Sequence, residues 1–116
     1  MSPMEARLQS SILVSALIRR AEAEGGNAAV IAKGDASAGA ILVMLAERGR
    51  KARILERLLQ PNGSYAWQET GNQALANSEE EQKFLAQRRR FDPDLWILEL
   101  DVPSAERFAA EMNESV

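Results

Sequence analysis

The stretch Arg88–Asp101, RRRFDPDLWILELD, decides the fold because it passes from a basic segment through an acid-flanked proline into a hydrophobic run. Pro93 disfavours a helical backbone at Asp92, so a helix that contains the arginines has to end there. The run Leu95–Asp101 combines aliphatic residues with a tryptophan, a composition that favours a β-strand. The stretch therefore predicts a junction between a helix and a core strand.

The residues before this junction predict its helix from capping and charge. Ser78–Glu81 has the spacing of a capping box and places acidic side chains in the first turn. Glu79 and Lys83 are separated by about one helical turn, which favours an ion pair. Arg88–Arg90 in the last turn complement the helix dipole. We therefore expect a helix that is stabilised at both ends.

Upstream of this helix the sequence predicts one further helix and four strands, and a short helix follows the junction. The N-terminal helix covers about residues 9–24 and ends at the glycines that follow, with a strand as the alternative because the segment contains β-branched residues. Strands are predicted at about residues 28–33, 40–47, 52–59 and 65–69, separated by turn residues. Residues 70–77 are predicted to form a surface loop, and Pro103 begins the last helix.

The resulting fold class is α+β, with the order αββββαβα in one domain, residues 1–116. We expect a four- to five-stranded, mainly antiparallel sheet in which the early strands are neighbours and form a meander. The N-terminal and central helices are expected to pack on one face of this sheet. The exposed side of the sheet, or an unpaired edge strand, would then serve as a binding surface.

Composition excludes several classes of site. The chain has no cysteine and no histidine, which removes disulfides, thiolate zinc sites and the usual base near neutral pH. No metal and no cofactor is expected. The net charge of −3 argues against a surface built entirely for nucleic acid or anionic membrane. Because the first residues lack a signal-peptide pattern and no apolar run could span a bilayer, we expect a soluble cytoplasmic protein.

Three segments carry a resemblance to a known family: Val14–Ala21, Gly34–Ala40 and, above all, Gln87–Trp96 with its RRFDPDLW motif. On these segments the chain resembles a small alphaproteobacterial family of similar length, catalogued as a conserved domain of unknown function. The resemblance implies a cytoplasmic bacterial protein of a single domain and brings no activity, ligand or catalytic residue. Lys33 stands where the family usually has arginine, so no role is carried over to that position.

The loop Gly34–Gly39 is a candidate phosphate site, because its two glycines have the separation found in a P-loop. A P-loop continues into Lys-Ser or Lys-Thr and a helix, whereas Ala40, Ile41 and a predicted strand follow here. The alternative, which we favour, is a tight turn in which Asp35 accepts hydrogen bonds from the neighbouring backbone.

Basic and aromatic side chains form a candidate surface for single-stranded nucleic acid, because guanidinium groups bind phosphates and aromatic rings stack on bases. The basic members are Arg48, Arg50, Lys51, Arg53 and Arg57, which Arg88, Arg89 and Arg90 would extend. The aromatic members are Tyr65, Trp67 and Trp96. The alternative, which we favour, is that the arginines are solvated at a hairpin tip and a helix end while the tryptophans lie in the core.

Carboxylates that follow the proline form a candidate Mg²⁺ site of a nuclease-like hydrolase. Asp94, Glu99 and Asp101 resemble a Pro-Asp…Glu-x-Lys arrangement, in which carboxylates bind the ion and a lysine stabilises the developing charge. Asp101 stands where the lysine is needed, so this hypothesis is the weakest.

Asp92, Pro93 and Asp94 have a structural alternative, and we prefer it. The two carboxylates are expected to join the arginine run, Arg88 above all, in a buried charge network that fixes how the helix meets the strand. Such a network can fix the register of two elements even when its net contribution to stability is small.

The sequence alone assigns no biochemical activity. Our first expectation is a non-enzymatic protein that binds an unidentified protein partner or self-associates, for example as a homodimer. The second is an accessory module that binds nucleic acid through Arg50, Arg53, Arg88, Arg89, Arg90 and Trp96. The third and weakest is a metal-dependent hydrolase. No association with a membrane is expected.

Overall fold

The computed structural model describes residues 9–114 and contains, within that range, three α-helices, one 3₁₀ helix and five β-strands. The helices are α1 (Ser10–Ala23), α2 (Ser78–Phe91) and α3 (Ala105–Glu114), with the 3₁₀ helix at Asn72–Leu75. The strands are β1 (Asn27–Ala32), β2 (Ile41–Glu47), β3 (Arg50–Leu59), β4 (Tyr65–Glu69) and β5 (Trp96–Val102). This order confirms αββββαβα. The 3₁₀ helix lies in the segment predicted as a surface loop, and its Ala74 is buried.

The strands form one sheet in the order β1-β5-β2-β3-β4. β2 and β5 run parallel, and the other neighbouring pairs are antiparallel. An α+β fold with a mainly antiparallel sheet is therefore confirmed. The predicted adjacency of β1 and β2 is wrong, because β5 lies between them and the meander covers only β2, β3 and β4.

The burial of β2 and β5 reflects their places in the interior of the sheet. All residues of β2 except the last are buried, and β5 alternates only weakly between buried and half-buried positions. A strand that is covered on both faces loses the regular alternation of apolar and polar residues. Local sequence identifies such a run as a strand but does not determine which strands it pairs with.

Helices cover both faces of the sheet. On one face, α1 packs over β1 and β5 and α3 packs over β2, β4 and β5, through side chains that include Leu17, Leu98 and Phe108. On the other face, α2 and the 3₁₀ helix pack over β2, β3 and β5, with Ile97 and Phe84 among the contacts. The expected packing of α1 and α2 on one face is thus corrected. They lie on opposite faces because successive side chains of the two central strands are buried on alternate sides.

The junction between helix and strand forms where it is predicted. α2 ends at Phe91 and β5 begins at Trp96. At the start of α2, Asn77 caps the helix in place of Ser78, since its side-chain oxygen accepts a hydrogen bond of 2.9 Å from the N–H of Glu80. The acidic first turn and the basic last turn lie at the predicted ends of the helix.

Candidate functional site

Arg88 joins α2 to strand β3. Its Nη1 and Nη2 atoms donate to the two carboxylate oxygens of Glu56, at 2.9 and 2.6 Å. The side chains are only 26% and 13% exposed, so water screens the pair incompletely. The hydrogen bond to Glu56 raises the pKa of Arg88 against the opposing effect of burial, and the charges of Glu56 and Asp92 raise it further. The hydrogen-bond partner of Arg88 is therefore Glu56, in place of Asp92 or Asp94.

Arg89 connects α2 to the end of β1 and to the start of β5. Its Nη1 atom donates to the carbonyl oxygen of Leu95 at 2.6 Å and to that of Lys33 at 3.3 Å. Lys33 directly follows β1, and Leu95 directly precedes β5. The adjacent arginines of α2 thus reach different parts of the sheet, and Arg90 remains exposed.

Asp92 and Asp94 form local hydrogen bonds in the turn, Asp92 through its carboxylate and Asp94 through its backbone. A carboxylate oxygen of Asp92 accepts a hydrogen bond of 3.1 Å from the N–H of Asp94. The carbonyl oxygen of Asp94 accepts one of 3.0 Å from the N–H of Asp35. The side chains of Asp94 and Pro93 are exposed. These residues shape the turn between α2 and β5, and the carboxylate of Asp94 is outside any buried network.

The loop Gly34–Gly39 is folded as a turn. The carboxylate of Asp35 accepts hydrogen bonds from the N–H groups of Ser37 and Ala38, at 3.2 and 2.8 Å. A Cβ atom on either terminal glycine would lie 2.2 or 2.4 Å from the carbonyl oxygen of Asp94. Close packing of two backbone segments therefore requires both glycines, and two N–H groups that could bind a phosphate are already bonded to Asp35.

Both tryptophans belong to the core. The indole nitrogen of Trp96 donates to the carbonyl oxygen of Asp35 at 2.7 Å, and the ring of Trp67 is buried under α3. Tyr65 is half-buried, and the guanidinium group of Arg57 lies 4.0 Å from the centre of its ring. The tryptophan rings therefore do not present faces on which a base could stack.

The basic side chains do not converge into one surface. Arg53 lies on the α1 face of β3 and pairs with Glu69 at 3.6 Å, whereas Arg88 lies on the α2 face. Arg50 follows the end of β2, and Arg90 precedes the start of β5. Because β2 and β5 are parallel, these two positions lie at opposite ends of the sheet, about 20 Å apart.

Two of the three candidate metal ligands, Glu99 and Asp101, form structural contacts. Glu99 forms an ion pair with Lys51, and the carboxylate of Asp101 accepts a hydrogen bond of 2.8 Å from the N–H of Gly49. Within residues 9–114, no three acidic side chains are placed together to hold a metal ion. Asp94, Glu99 and Asp101 thus lie along one segment without forming a cluster.

An open groove of about 810 Å³ lies between the start of α1, residues 37–41 and the Arg57–Tyr65 pair. The hydroxyl of Ser10, on its wall, donates to the carbonyl oxygen of Gly39 at 2.6 Å. The guanidinium group of Arg57 stacks on Tyr65. The side chains of Ser10 and Arg57 are therefore engaged within the fold.

Strand β1 forms one edge of the sheet and is unprotected. It pairs with β5 on one side, and no strand of residues 9–114 lies on the other side. Its sequence, NAAVIA, contains no charged residue. Val30 and Ile31 are 45% and 51% exposed. An exposed apolar edge of this kind is a template for a further β-strand.

The pattern of hydrogen bonds determines which β1 residues face this open edge. The N–H of Trp96 donates to the carbonyl oxygen of Ala40 at 2.8 Å, so even-numbered residues of β5 direct their backbone groups towards β2. Odd-numbered residues of β5 then bond to β1. Ala28 and Val30 lie opposite even-numbered residues. Their own N–H and C=O groups therefore point outwards.

Strand β4 forms the other edge, and a side chain of α3 protects it. Asn113 accepts a hydrogen bond of 2.7 Å from the N–H of Trp67 and donates one of 3.1 Å to its carbonyl oxygen. Trp67 is the central residue of the strand. The amide of Asn113 thus takes the place that a neighbouring strand would occupy at this residue.

Ala28, Val30 and Asn113 are not among the functional residues predicted from the sequence. The uncharged run at 27–32 is the signal that could have identified the β1 edge, since exposed edge strands usually carry charge. Asn113 lies 46 residues from Trp67, and no local pattern connects the two.

Solved structures of similar fold include three from two bacteria. A crystal structure of a DUF1491 family protein from Caulobacter crescentus has a TM-score of 0.76 and 33% identity, covering 88% of this chain and 94% of that one. An NMR structure of a DUF1491 family protein from the same organism has a TM-score of 0.74 and 33% identity, covering 88% and 92%. The solution structure of a protein from A. tumefaciens has a TM-score of 0.72 and 35% identity, covering 89% and 92%.

No curated protein matches the chain. Among the helices of residues 9–114, none has the length and apolar character needed to cross a membrane. The model of the family DUF1491, described as a protein of unknown function, matches residues 8–110, a range that includes α1 and all five strands. The chain therefore belongs to the DUF1491 family, for which no function is assigned.

Proposed function

We propose that this protein is a non-enzymatic interaction domain that recruits an extended protein segment to the open edge of β1. The observation that carries the proposal is the difference between the two sheet edges. Asn113 closes β4 at its central residue, whereas Ala28 and Val30 direct N–H and C=O groups outwards from β1. An added strand would satisfy these groups and cover the exposed side chains beside them.

The alternative binding surface, an exposed side of the sheet, is not favoured because helices pack on both faces. The charged residues also support binding over catalysis. Glu56, Glu99 and Asp101 each bond to a neighbouring basic or backbone group of the fold. A nucleic-acid function is not favoured either, since the basic side chains of the described residues are divided between the two faces and the two ends of the sheet. The proposal places the protein in the cytoplasm, in line with its sequence pattern.

Capture of proteins from a nuclease-treated bacterial lysate tests this function. Val30→Lys places a solvated charge on the open edge and is expected to reduce the captured protein, further copies of this chain included, at least about tenfold. Leu59→Lys is the matched control, because Leu59 is 59% exposed on β3, away from β1. If both variants captured as much as the wild type, the proposed function would be wrong.

A further inference from the structure

We infer that the segment paired with β1 is the β1 strand of a second copy, so that two sheets join into one across a two-fold axis through Ala29. The inference rests on the proposed function of the β1 edge and names the partner of that edge. It is carried by three features of the described residues: the register, the apolar surface beside the strand, and the distribution of charge.

The register follows from the two outward-facing residues. Ala28 and Val30 are two positions apart, so an antiparallel copy can pair each Ala28 with the Val30 of its partner. Ala29 then lies opposite its own counterpart at a non-hydrogen-bonded position, where cross-strand side chains approach most closely. Its methyl group fits there. The strand is thus self-complementary, as a two-fold interface has to be.

Pairing with a second copy would bury the exposed apolar side chains of Val30 and Ile31 more deeply. A β-bulge between Val30 and Ala32 restricts regular pairing to about residues 27–31, so contacts outside the backbone have to contribute. Val30 points to the α1 face and Ile31 lies at the bulge, and each is about half exposed.

Helix α1 supplies a further apolar contact. Arg20 faces α3, where it bonds to Glu111 at 2.7 Å. Ile18 lies about 200° from Arg20 around the helix axis and therefore on the β1 side of α1. A two-fold axis perpendicular to the sheet keeps both copies of α1 on the same face. Ile18 and Val30 of each copy then border the joined strands.

Charge favours the antiparallel orientation. Glu22 lies one turn after Ile18 on the same side of α1, close to where the chain turns into β1, and Lys33 follows the end of β1. Both residues are exposed. Antiparallel pairing places the acidic end of one strand beside the basic end of the other, whereas parallel pairing would place like charges together.

Sedimentation equilibrium of the full chain tests the dimer. We expect the wild-type protein to dimerise reversibly, Val30→Lys to raise the dissociation constant at least about tenfold, and Leu59→Lys to leave it unchanged. A wild-type protein that stays monomeric up to about 1 mM would overturn the inference, as would equal dimerisation of all three proteins.

Single cysteines test the register, and the chain has no native cysteine to interfere. Ala29→Cys places two thiols on Cα atoms about 4.5 Å apart across the axis, within the range for a disulfide. Asn27→Cys is the matched control, since Asn27 lies on the same face of the same strand, yet its two copies would be about 14 Å apart along the strands. Mild oxidation should cross-link Ala29→Cys at least about tenfold faster. Equal rates, or a faster reaction of Asn27→Cys, would overturn this register.

The inference and the proposed function fail in different ways. If the wild type is monomeric and still captures another protein through an edge that Val30→Lys blocks, the second copy is the wrong partner and the function stands. If capture is unchanged in Val30→Lys, the proposed function is wrong and the inference falls with it.

Discussion

The two edges of the sheet, β1 and β4, differ in how their outward-facing backbone groups are satisfied. At β4, the N–H and C=O groups of Trp67 bond to the side-chain amide of Asn113. At β1, Ala28 and Val30 present the same groups with no partner among residues 9–114. β4 also carries a glutamate, whereas β1 carries no charge.

At Trp67, the protection of the β4 edge depends on one side chain of α3, Asn113. α3 reaches β4 and bonds to its backbone, whereas α1 packs against β1 and, among residues 9–114, forms no hydrogen bond with the backbone of Ala28 or Val30. Unpaired edges promote association, and natural sheets usually block them. We therefore expect association to occur at β1, the edge that is open and uncharged, and not at β4, which lies on the opposite side of the sheet.

Breaking the start of β1 should have the largest effect on stability. A Cβ atom on Gly26 would lie 2.0 Å from the carbonyl oxygen of Asp101, and relief would separate β1 from β5. We expect Gly26→Ala to lower the free energy of unfolding by about 3 kcal/mol, measured by urea denaturation. Gly63, in the turn before β4, has a φ of +88° and open space around it, so Gly63→Ala should cost about 1 kcal/mol. The reverse ranking would contradict this account.

Removing the attachment of α2 to β3 should have the next largest effect. Arg88→Ala leaves the carboxylate of Glu56, which is 13% exposed, without its bidentate partner. We expect a loss of about 2 kcal/mol, seen as a lower melting temperature. Arg19→Ala, which removes an exposed charge from α1, is the control and should alter stability by less than about 0.5 kcal/mol. Equal effects of the two changes would show that the ion pair contributes little.

Opening the protected edge should have a smaller effect, confined to β4. Asn113→Ala removes both hydrogen bonds to the backbone of Trp67, with an expected loss of about 1 kcal/mol. The amide of Trp67 should exchange with solvent faster, as measured by NMR. Glu114→Ala changes the next residue of α3 and is the control. Unchanged exchange at Trp67 in the Asn113 variant would mean that the amide does not protect this edge.

Asp94→Ala, which alters neither edge of the sheet, should have the smallest effect on the free energy of unfolding. The side chain of Asp94 is exposed, and its hydrogen bonds in the turn run through its backbone. Asp94→Ala should therefore alter the free energy of unfolding by less than about 0.5 kcal/mol, measured in the same denaturation series. A loss as large as that of Arg88→Ala would restore Asp94 to the buried network expected from the sequence.

The contribution of Arg88 should not change with pH near neutrality. Its pKa is raised in the folded state, so the stability it adds is present below the ordinary arginine pKa and is lost only as the pH rises through the higher folded value. Both values lie far above neutral pH. The difference in unfolding free energy between the wild type and Arg88→Ala should stay constant from about pH 6 to about pH 9. A decline over that range would assign the effect to another group.

Local patterns predict the α-helices and the strands of this fold, whereas the 3₁₀ helix at Asn72–Leu75 lies in a predicted loop. Pro93 and the charges of α2 act within a few residues of where they lie, so the junction with β5 is predicted correctly. The insertion of β5 between β1 and β2 depends on contacts between distant segments, which no local pattern contains. The same limit explains why α1 and α2 are wrongly predicted to pack on one face of the sheet. Two neighbouring apolar side chains of a strand point to opposite faces, but they do not show which helix covers each face.

The candidate site was less predictable for the same physical reason. An arginine of α2 is expected to pair with a carboxylate, yet Glu56 lies 32 residues away, whereas Asp92 and Asp94 are the nearest in sequence. The sequence predicts an unpaired edge strand as a binding surface without indicating which strand it is. Identifying β1 as that strand required the sheet order, and recognising β4 as protected required the position of Asn113.

The central claim is that β1 is an open edge that pairs with another strand, while β4 is closed at its central residue, Trp67. Amide hydrogen exchange measured residue by residue, at low and at high protein concentration, tests it most directly. We predict that the amide of Trp67 is protected at both concentrations, whereas the amides of Ala28 and Val30 exchange rapidly in dilute solution and at least about tenfold more slowly in concentrated solution. Protection of Ala28 and Val30 in dilute solution equal to that of Trp67 would contradict the account.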